Sequence, residues 1–266
     1  MKVLCLGTGT CFPPRPEHPW RMPPLFLVEL PGLRVLFDCS EGARWRLAQA
    51  GVDPASIAHV AVSHPHPDHA ALPQFVQARA CATRVAEGDV GLAIHLPARS
   101  HGAIKDLWRW HHPEDDGRLT SRLPIITHGA YDGYCAVLAP GVLLKAFSVH
   151  HGHGHSPSLA WRLEHPGGVF AYSGDTGLCE GVLLAATGAD LFVCEASAAI
   201  GTDMSRGYGH LNPHQAGSLA SLAGVRGLHL THYTGEDSAE AMVSEARQGG
   251  YEGPCTVLTD GDVLEG

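Results

Sequence analysis

The segment from Ser63 to His69 (SHPHPDH) contains the residues of this chain best suited to chemistry. It holds three histidines and one aspartate within six positions, at His64, His66, Asp68 and His69. Imidazole nitrogens and carboxylate oxygens are the ligands that hold zinc and similar divalent cations. A histidine-rich surface loop is the alternative, because the chain contains 19 histidines in 266 residues. We favour a metal site, since later parts of the chain supply further ligands.

The elements around this segment predict where its side chains point. Residues 60–62 are apolar and indicate the end of a buried strand, and residues 70–81 favour a helix. Side chains alternate along an extended segment, so His64 and His66 are expected to point the same way. Asp68 and His69 follow the turn and can point elsewhere. One short loop could therefore serve two metal ions.

Metal-ligand residue types also follow three later apolar runs, where strands are expected to end. They are the histidines of residues 150–155 (HHGHGH), Asp175 in the segment YSGDT, and His232 in the segment LTHY. Buried polar groups are costly without partners, so their recurrence at strand ends indicates a function. For Asp175 by itself, the alternative is the N-cap of a helix that starts at Thr176.

Together these residues provide enough ligands for two divalent cations, which we expect to be zinc, or else manganese or iron. One ion would be held by His64, His66 and one histidine of residues 150–155, and the other by Asp68, His69 and His232. Asp175 would bridge the two ions, because a carboxylate offers two oxygens. Positions left open for water are what a catalytic site requires.

The composition predicts a sizeable core and argues against broad nucleic-acid binding. Hydrophobic residues make up 44% of the chain, enough for a sizeable core. The 18 Lys and Arg against 27 Asp and Glu give a formal net charge of -9, whereas broad nucleic-acid binding relies on a cationic surface. A small phosphate ester remains compatible, since bound metal ions would supply positive charge locally.

The cysteines and the apolar runs predict a cytoplasmic protein. The 8 cysteines are scattered without a Cys-x-x-Cys pair, so we expect free thiols, which suit a reducing compartment. The first apolar run is too short for a signal peptide. No run approaches membrane-spanning length, so no membrane partner is expected.

The hydrophobic pattern predicts more strands than helices, with the helices spaced between the strands. Strands are expected at residues 3–6, 25–30, 33–38, 60–62, 92–96, 143–149, 159–163, 169–172, 191–194 and 228–231. Helices are expected at residues 41–50, 70–81, 104–110, 181–186, 213–223 and 239–248, and a proline-rich loop at residues 13–24. No linker interrupts the pattern, which predicts a single domain over residues 1–266, with helices covering the sheets.

Two motifs and their order along the chain point to a known family. His64-x-His66-x-Asp68-His69 and the SGDT segment at residues 173–176 are specific. Weaker motifs occur at residues 6–10 (LGTGT), 36–42 (LFDCSEG), 158–162 (SLAWR), 194–197 (CEAS), 209–211 (GHL) and 230–233 (LTHY). Over nearly its whole length the chain resembles the metallo-β-lactamase superfamily, specifically its ribonuclease Z-like, phosphodiesterase branch.

This resemblance implies an α/β (α+β) fold, a four-layer αββα sandwich with a dinuclear site at one edge, and hydrolysis, usually of phosphodiesters. The family's register places the third histidine ligand directly after a strand, which selects His151 and leaves His153 and His155 one step off. His150 stays open as well. The resemblance also allows a homodimer.

By position, the resemblance makes Glu195 and His210 a hydrogen-bonded pair beside the metals, with His210 stabilising or protonating the leaving oxygen. Asp68 would be both a metal ligand and the acceptor of a proton from the attacking water. The alternatives are a buried Glu195 satisfied by backbone donors and a surface His210 that flanks a helix.

The chain also departs from the family. Members that process tRNA carry a long glycine- and proline-rich arm between the third histidine motif and the bridging aspartate, whereas His151 and Asp175 are 24 positions apart here. With the acidic net charge, the missing arm argues against tRNA as the substrate. Ser40 and residues 70–71 (AA) stand where the family often has glycine, which affects substrate fit more than metal binding.

We therefore predict a phosphodiesterase that uses metal-activated water on a small phosphodiester or a cyclic phosphate. The first alternative is a lactonase, thioesterase or sulfatase on the same fold, because the metal loop does not separate these reactions. The second is a non-catalytic metal-binding module, against which the complete ligand set argues.

Overall fold

A computed structural model describes residues 1–11, 20–82, 91–111, 113 and 125–266. Within these residues the strands are β1 (Lys2–Gly7), β2 (Leu25–Leu30), β3 (Leu33–Phe37), β4 (His59–Ala61), β5 (Leu92–Pro97), β6 (Ile125–Ala130), β7 (Tyr134–Ala139), β8 (Val142–Val149), β9 (Ser158–His165), β10 (Gly168–Tyr172), β11 (Leu191–Glu195), β12 (Leu228–Thr231), β13 (Cys255–Val257) and β14 (Val263–Glu265). The α-helices are α1 (Ala43–Gln49), α2 (Leu72–Ala82), α3 (His101–His111), α4 (Glu180–Ala186), α5 (Pro213–Ala223) and α6 (Ala239–Gln248).

The described strands form two sheets of seven strands each. Sheet one has the order β14-β1-β2-β3-β4-β5-β6, and sheet two has the order β13-β12-β11-β10-β9-β8-β7. Strands β3 to β6 are parallel, as are β10 to β13. Because β9 is antiparallel to both β8 and β10, β8 runs in the direction of β10. The loops that follow β8, β10, β11 and β12 therefore leave the same edge of sheet two.

Apolar side chains form three layers between the sheets and helices. One cluster lies between the two sheets and includes Phe37 and Trp161. A second packs helices against sheet one through residues such as Leu47 and Phe75, and a third packs helices against sheet two through residues such as Ala220. The arrangement is helix, sheet, sheet, helix, which confirms the predicted αββα sandwich.

Local sequence signals fix the clearest helix. Asn212 accepts a hydrogen bond from the backbone N–H of Gln215 and the Gln215 side chain accepts one from Asn212, so α5 begins with a capping box. Pro213 occupies the first helical position, where its missing N–H is tolerated. Gly224 ends the helix in the left-handed conformation, with φ 63°. These residues explain why α5 lies where the sequence predicts it.

Some predicted elements differ from the structure. Helix α2 starts at Leu72 and not at residue 70, because Ala71 donates a backbone hydrogen bond of 2.7 Å to Cys39. Helix α3 starts three residues earlier than predicted, at His101. Strands β13 and β14 have three residues each, too few for a readable pattern. Of the predicted proline-rich loop, residues 13–19 lie outside the described residues.

None of the described helices is long and apolar enough to cross a membrane. The cysteines that the structure describes are free thiols, as expected, and Cys5, Cys39 and Cys194 are buried.

A second group of histidines lies between the sheets, away from the predicted site. The buried His95 has its Nε2 3.2 Å from Nδ1 of His59 and its Nδ1 2.8 Å from the Tyr134 hydroxyl, and its ring stacks on His128. Burial, together with repulsion by a charged His59 or His128, lowers the pKa of His95 from 6.5 to about 3. The folded protein therefore keeps His95 neutral.

This burial predicts an acid-sensitive stability. As the pH falls below the usual histidine pKa of about 6.5, the unfolded chain binds a proton at His95 that the folded chain does not, so stability is lost. Between pH 7 and pH 5, His95→Asn should reduce the pH-dependent loss in free energy of unfolding by about 2 kcal/mol. Denaturant unfolding at both pH values measures this difference. The same substitution at the exposed His111 is the control, and an unchanged slope in His95→Asn would contradict the prediction.

Candidate metal centre

The loop after β4 holds four of the predicted site residues in one place. His64 and His69 are fully buried, Asp68 is nearly so, and His66 is half-buried. The backbone N–H of His69 donates to the carbonyl of His66 at 2.9 Å, which forms the turn that the sequence suggested. The carbonyl of His69 in turn accepts from Cys39 at 2.8 Å, so the loop is fastened to the end of β3.

Sheet two supplies the other predicted ligands from loops that leave one edge. His151 follows β8, Asp175 follows β10 and His232 follows β12. Gly174 has φ 57°, and a Cβ there would lie 2.7 Å from the Cβ of Ser63. Glycine at this position therefore lets the strand end that carries Asp175 approach the histidine loop.

The donor atoms of four of these residues form a first group. Nδ1 of His66 lies 3.0 Å from Nε2 of His64 and 3.3 Å from Nε2 of His151. Oδ2 of Asp175 lies 3.7 Å from Nε2 of His64 and 3.8 Å from Nε2 of His151. One ligand atom from each residue lies within 4.8 Å of all the others. Such spacing suits a shared cation.

Asp68, His69 and His232 form a second group of the same compactness. Oδ2 of Asp68 lies 3.8 Å from Nε2 of His69 and 3.7 Å from Nε2 of His232. Asp175 lies beside this group as well, with Oδ1 3.3 Å from His69 and Oδ2 3.5 Å from His232. The structure thus brings all seven predicted ligands together and puts Asp175 between the two groups. That they bind metal stays a prediction.

Among the four histidines of residues 150–155, the structure brings one into this cluster. His151 is buried, whereas His153 and His155 are exposed. His150 is directed elsewhere, with its Nε2 3.3 Å from the carbonyl of Gly207.

Hydrogen bonds at Nδ1 fix the orientation of three histidines. Nδ1–H of His69 donates to Asp38 at 2.6 Å, and Nδ1–H of His151 donates to the carbonyl of Gly209 at 2.9 Å. Nδ1 of His64 lies 3.0 Å from the hydroxyl of Ser63, whose own proton goes to Asp38. Each ring therefore directs its Nε2 toward the cluster, the nitrogen that would bind a metal once it carries no proton.

Several buried polar atoms of the cluster have no hydrogen-bond partner among the described residues. They are Nε2 of His69, Oδ1 of Asp175 and both ring nitrogens of His232. Buried polar atoms are normally paired, because an unpaired one costs about 1–3 kcal/mol. All the unpaired atoms belong to ligand types for zinc-like cations, and the residues therefore fit a metal centre.

The electrostatics of the cluster also suit cations. Burial lowers the pKa of His64 well below its usual value and lowers that of His151, so both stay neutral. Burial opposes ionisation of Asp68, but the nearby His232 and the charge of His69 lower its pKa to about 2. For His69, the carboxylates of Asp175 and Asp38 outweigh burial and raise the pKa well above 6.5. Without metal a proton resides there, and cation binding competes with it.

Asp38 is a site residue whose role the sequence motifs did not indicate. It is fully buried and accepts hydrogen bonds from the N–H of Ser63 at 2.6 Å, the hydroxyl of Ser63 at 2.9 Å, Nδ1–H of His69 at 2.6 Å and the hydroxyl of Tyr172 at 2.6 Å. Its φ of 57° lies in the left-handed region, which is unusual for a residue other than glycine. His232, with φ 61°, lies in the same region. A buried aspartate directly after a strand is the signal that could have identified it.

Glu195 and His210 lie next to the cluster as a pair. Nδ1–H of His210 donates to Oε1 of Glu195 at 2.8 Å. Glu195 also accepts from the backbone N–H groups of Thr176 and Ser197 and from the hydroxyl of Ser197, so it is both satisfied by the backbone and paired with His210. Burial lowers the pKa of His210, but the Glu195 carboxylate outweighs this and raises it to about 9. His210 also falls within 4.8 Å of donor atoms of Asp175 and His232.

The alternative interpretation of Asp175 as a helix N-cap is wrong. No helix starts at Thr176; α4 begins four residues later, with Cys179 as its N-cap residue. The backbone N–H of Thr176 instead donates to the Glu195 carboxylate at 2.7 Å.

A cavity of about 640 Å³ opens onto the cluster. Its lining residues include the predicted site residues His66, Asp68, His151, Asp175, His210 and His232, together with Ala199, Thr202, Met204, Tyr208 and Glu236. The volume suits a small ligand rather than a buried polymer.

Comparisons of the sequence and of the fold both find similar known proteins. Residues 33–233 match the β-lactamase superfamily domain. A ribonuclease Z of Halorubrum lacusprofundi is 28% identical over 318 residues, covering 100% of this chain and 97% of the relative. The metallo-β-lactamase fold protein YhfI from Bacillus subtilis has a TM-score of 0.79 at 20% identity, covering 100% and 98% of the two chains. The short form of human tRNase Z has a TM-score of 0.77 at 21% identity, covering 100% and 99%.

The contacts of Asp38 predict its effect on metal affinity. Asp38→Asn keeps the shape of the side chain but removes the charge that orients His69, so affinity for Zn²⁺ should fall by about 10- to 100-fold. Competition against a fluorescent chelator measures the affinity, and denaturant unfolding checks that the fold is kept. Asp132→Asn is the matched control, because Asp132 also accepts a hydrogen bond, from the backbone N–H of Ser148, but is not one of the site residues. Equal affinities of Asp38→Asn and the control would contradict the role assigned to Asp38.

Proposed function

The chain belongs to the metallo-β-lactamase superfamily, in its ribonuclease Z-like branch, and we propose that it is a metal-dependent phosphodiesterase of small substrates. One observation carries the proposal. Two compact groups of ligand-type residues meet at Asp175, and the Glu195–His210 pair lies beside them on the same cavity. Such an arrangement offers both cation binding and a proton donor at one place.

The proposed metal ligands follow the two groups. His64, His66 and His151 would hold one divalent cation, Asp68, His69 and His232 a second, and Asp175 would bridge them. Their neutral imidazoles and carboxylates suit zinc, with manganese or iron as alternatives. When bound, such ions activate water as a nucleophile and neutralise charge that develops on phosphoryl oxygens.

The protein's own side chains would move the protons. Asp68 is ionised and lines the cavity, so it can accept a proton from the attacking water. His210 is protonated at neutral pH and can donate a proton to the leaving oxygen. Glu195 orients His210 through Nδ1, which leaves the other ring nitrogen as the donor.

The substrate is proposed to be a small phosphodiester or a cyclic phosphate. The cavity volume and the absence of an arm between His151 and Asp175 support this choice, since only a short turn and strands β9 and β10 separate these residues. The relatives named ribonuclease Z weaken the expectation that tRNA is not a substrate. A precursor tRNA therefore belongs in the substrate screen.

Asp175→Ala provides the first test of the proposal. Because Asp175 contacts both ligand groups, the variant should bind less metal and show no detectable hydrolysis of bis-p-nitrophenyl phosphate. Elemental analysis and phenolate release measure the two effects. Asp106→Ala, at a surface ion pair with Arg109, is the control. Unchanged turnover in Asp175→Ala would rule out the proposed centre.

The role of His210 predicts a dependence on the leaving group. His210→Ala should slow hydrolysis of diesters with alkoxide leaving groups by about 10²- to 10⁴-fold. The loss should be smaller for p-nitrophenolate, which needs little protonation. Metal content should be unchanged, and a loss of metal would instead make His210 a ligand. An equal loss for both leaving groups would contradict its role as proton donor.

A substrate panel separates the remaining functions. Phosphodiesters, cyclic nucleotides and precursor tRNA should be compared with lactones, thioesters and aryl sulfates, using metal-loaded protein. Preference for one of the last three would replace the phosphodiesterase proposal. Metal binding without hydrolysis of any substrate would indicate a non-catalytic module.

A further inference from the structure

Tyr208 is an aromatic residue on the cavity wall that the proposed chemistry does not use. Its side chain is 38% exposed and lines the cavity. The ring lies nearly parallel to those of His210 and His66, at centroid distances of 5.4 and 6.4 Å. It is nearly perpendicular to the rings of His151 and His153, at 5.1 and 5.2 Å. The ring is thus held among imidazoles, while part of its surface remains exposed and it lines the cavity.

The backbone around Tyr208 is fixed by the loop after β8. The carbonyl of Tyr208 accepts from the N–H of His153 at 3.2 Å, and the carbonyl of Gly209 accepts from Nδ1–H of His151 at 2.9 Å. The N–H of Gly209 donates to Met204 at 3.0 Å. Gly209 has φ 96° and a Cβ there would collide with the backbone of the facing loop, so close packing requires this glycine. The ring is therefore held in place before any ligand binds.

The surroundings of the ring favour a flat, uncharged group. Ala199, Thr202 and Met204 line the same part of the cavity, and Glu236 is the one charged residue there apart from the predicted site residues, among the lining residues that the structure describes. None of these described lining residues is Lys or Arg. This part of the cavity therefore offers no cation for a second phosphate, whereas a partly exposed aromatic ring favours stacking.

We propose that Tyr208 is a specificity-determining residue that stacks on a planar aromatic group of the substrate, of the kind that a nucleobase provides. The proposal rests on the proposed function, since the phosphate of the same molecule would lie at the metal centre. Fixing an aromatic ring before binding lowers the entropy lost when the ligand is ordered, so the ring contributes affinity. The residue would thereby select nucleotide esters over esters of simple alcohols.

Binding of two phosphate compounds to the metal-loaded protein tests this role without relying on turnover. Isothermal titration calorimetry should compare adenosine 5′-monophosphate with ribose 5-phosphate, which lacks only the base. The wild type should prefer the nucleotide by about 10-fold or more, the effect of stacking one base. Tyr208→Leu should abolish this preference and bind ribose 5-phosphate as the wild type does. Tyr208→Phe should keep the preference, because it keeps the ring.

The outcomes separate this inference from the proposed function. Equal binding of both compounds to the wild type, or an unchanged preference in Tyr208→Leu, overturns the stacking role alone. Loss of the preference in Tyr208→Phe also overturns it, because the hydroxyl would then be responsible. Absence of binding by both compounds, together with no diester hydrolysis, overturns the proposed function and this inference with it. Tyr131→Leu, at an exposed tyrosine outside the cavity lining, is the matched control.

Discussion

The carboxylate of Asp38 is buried without exposed surface and is held there by four hydrogen bonds. An unpaired buried charge would cost several kcal/mol, so the donors must all be in place for the fold to tolerate it. They come from both sheets, since Ser63 and His69 follow β4 whereas Tyr172 ends β10. Burial and the nearby Asp38 charge raise the pKa of Tyr172 well above its usual value, so its hydroxyl stays a donor. One carboxylate thus joins the two sheets at the point where the histidine loop begins.

Strand direction brings the remaining site residues to the same point. The ends of β8, β10, β11 and β12 leave one edge of sheet two, and each carries a polar side chain of the site. Hydrogen bonds at Nδ1 then set two of the histidine rings, because the Asp38 carboxylate holds His69 and the Gly209 carbonyl holds His151, which directs each Nε2 toward the cluster. The cluster that results has two ionised aspartates among buried histidines and unpaired polar atoms. Divalent cations would neutralise the carboxylate charge and bind the buried polar atoms that have no hydrogen-bond partner.

The other residues that line the cavity differ in character from this charged cluster. Beyond the cluster the described lining is mostly small, apolar or aromatic, with Met204 and Tyr208 on a loop that packs against the segment containing His151. The same contacts that orient a proposed ligand therefore also position these lining residues. Because the fold by itself does not fix the reaction, our proposal for the substrate rests on this part of the cavity.

The sequence by itself determined the ligand types and the elements that carry them. His64, His66, Asp68 and His69 were recognisable because they are close in the chain. Periodicity predicted sheets covered by helices, and the αββα architecture followed from the family resemblance that the motifs carry. Helix α5 was predicted at its correct bounds because its capping residues act over four positions. Contacts between residues that are far apart in the chain were harder to predict from the sequence. The role of Asp38 depends on Tyr172, which is 134 positions away. The family register had selected His151, but only the tertiary structure brought it into the cluster apart from its neighbouring histidines, showed that no helix starts at Thr176, and placed Tyr208 on the cavity lining. These outcomes depend on contacts between loops of different strands.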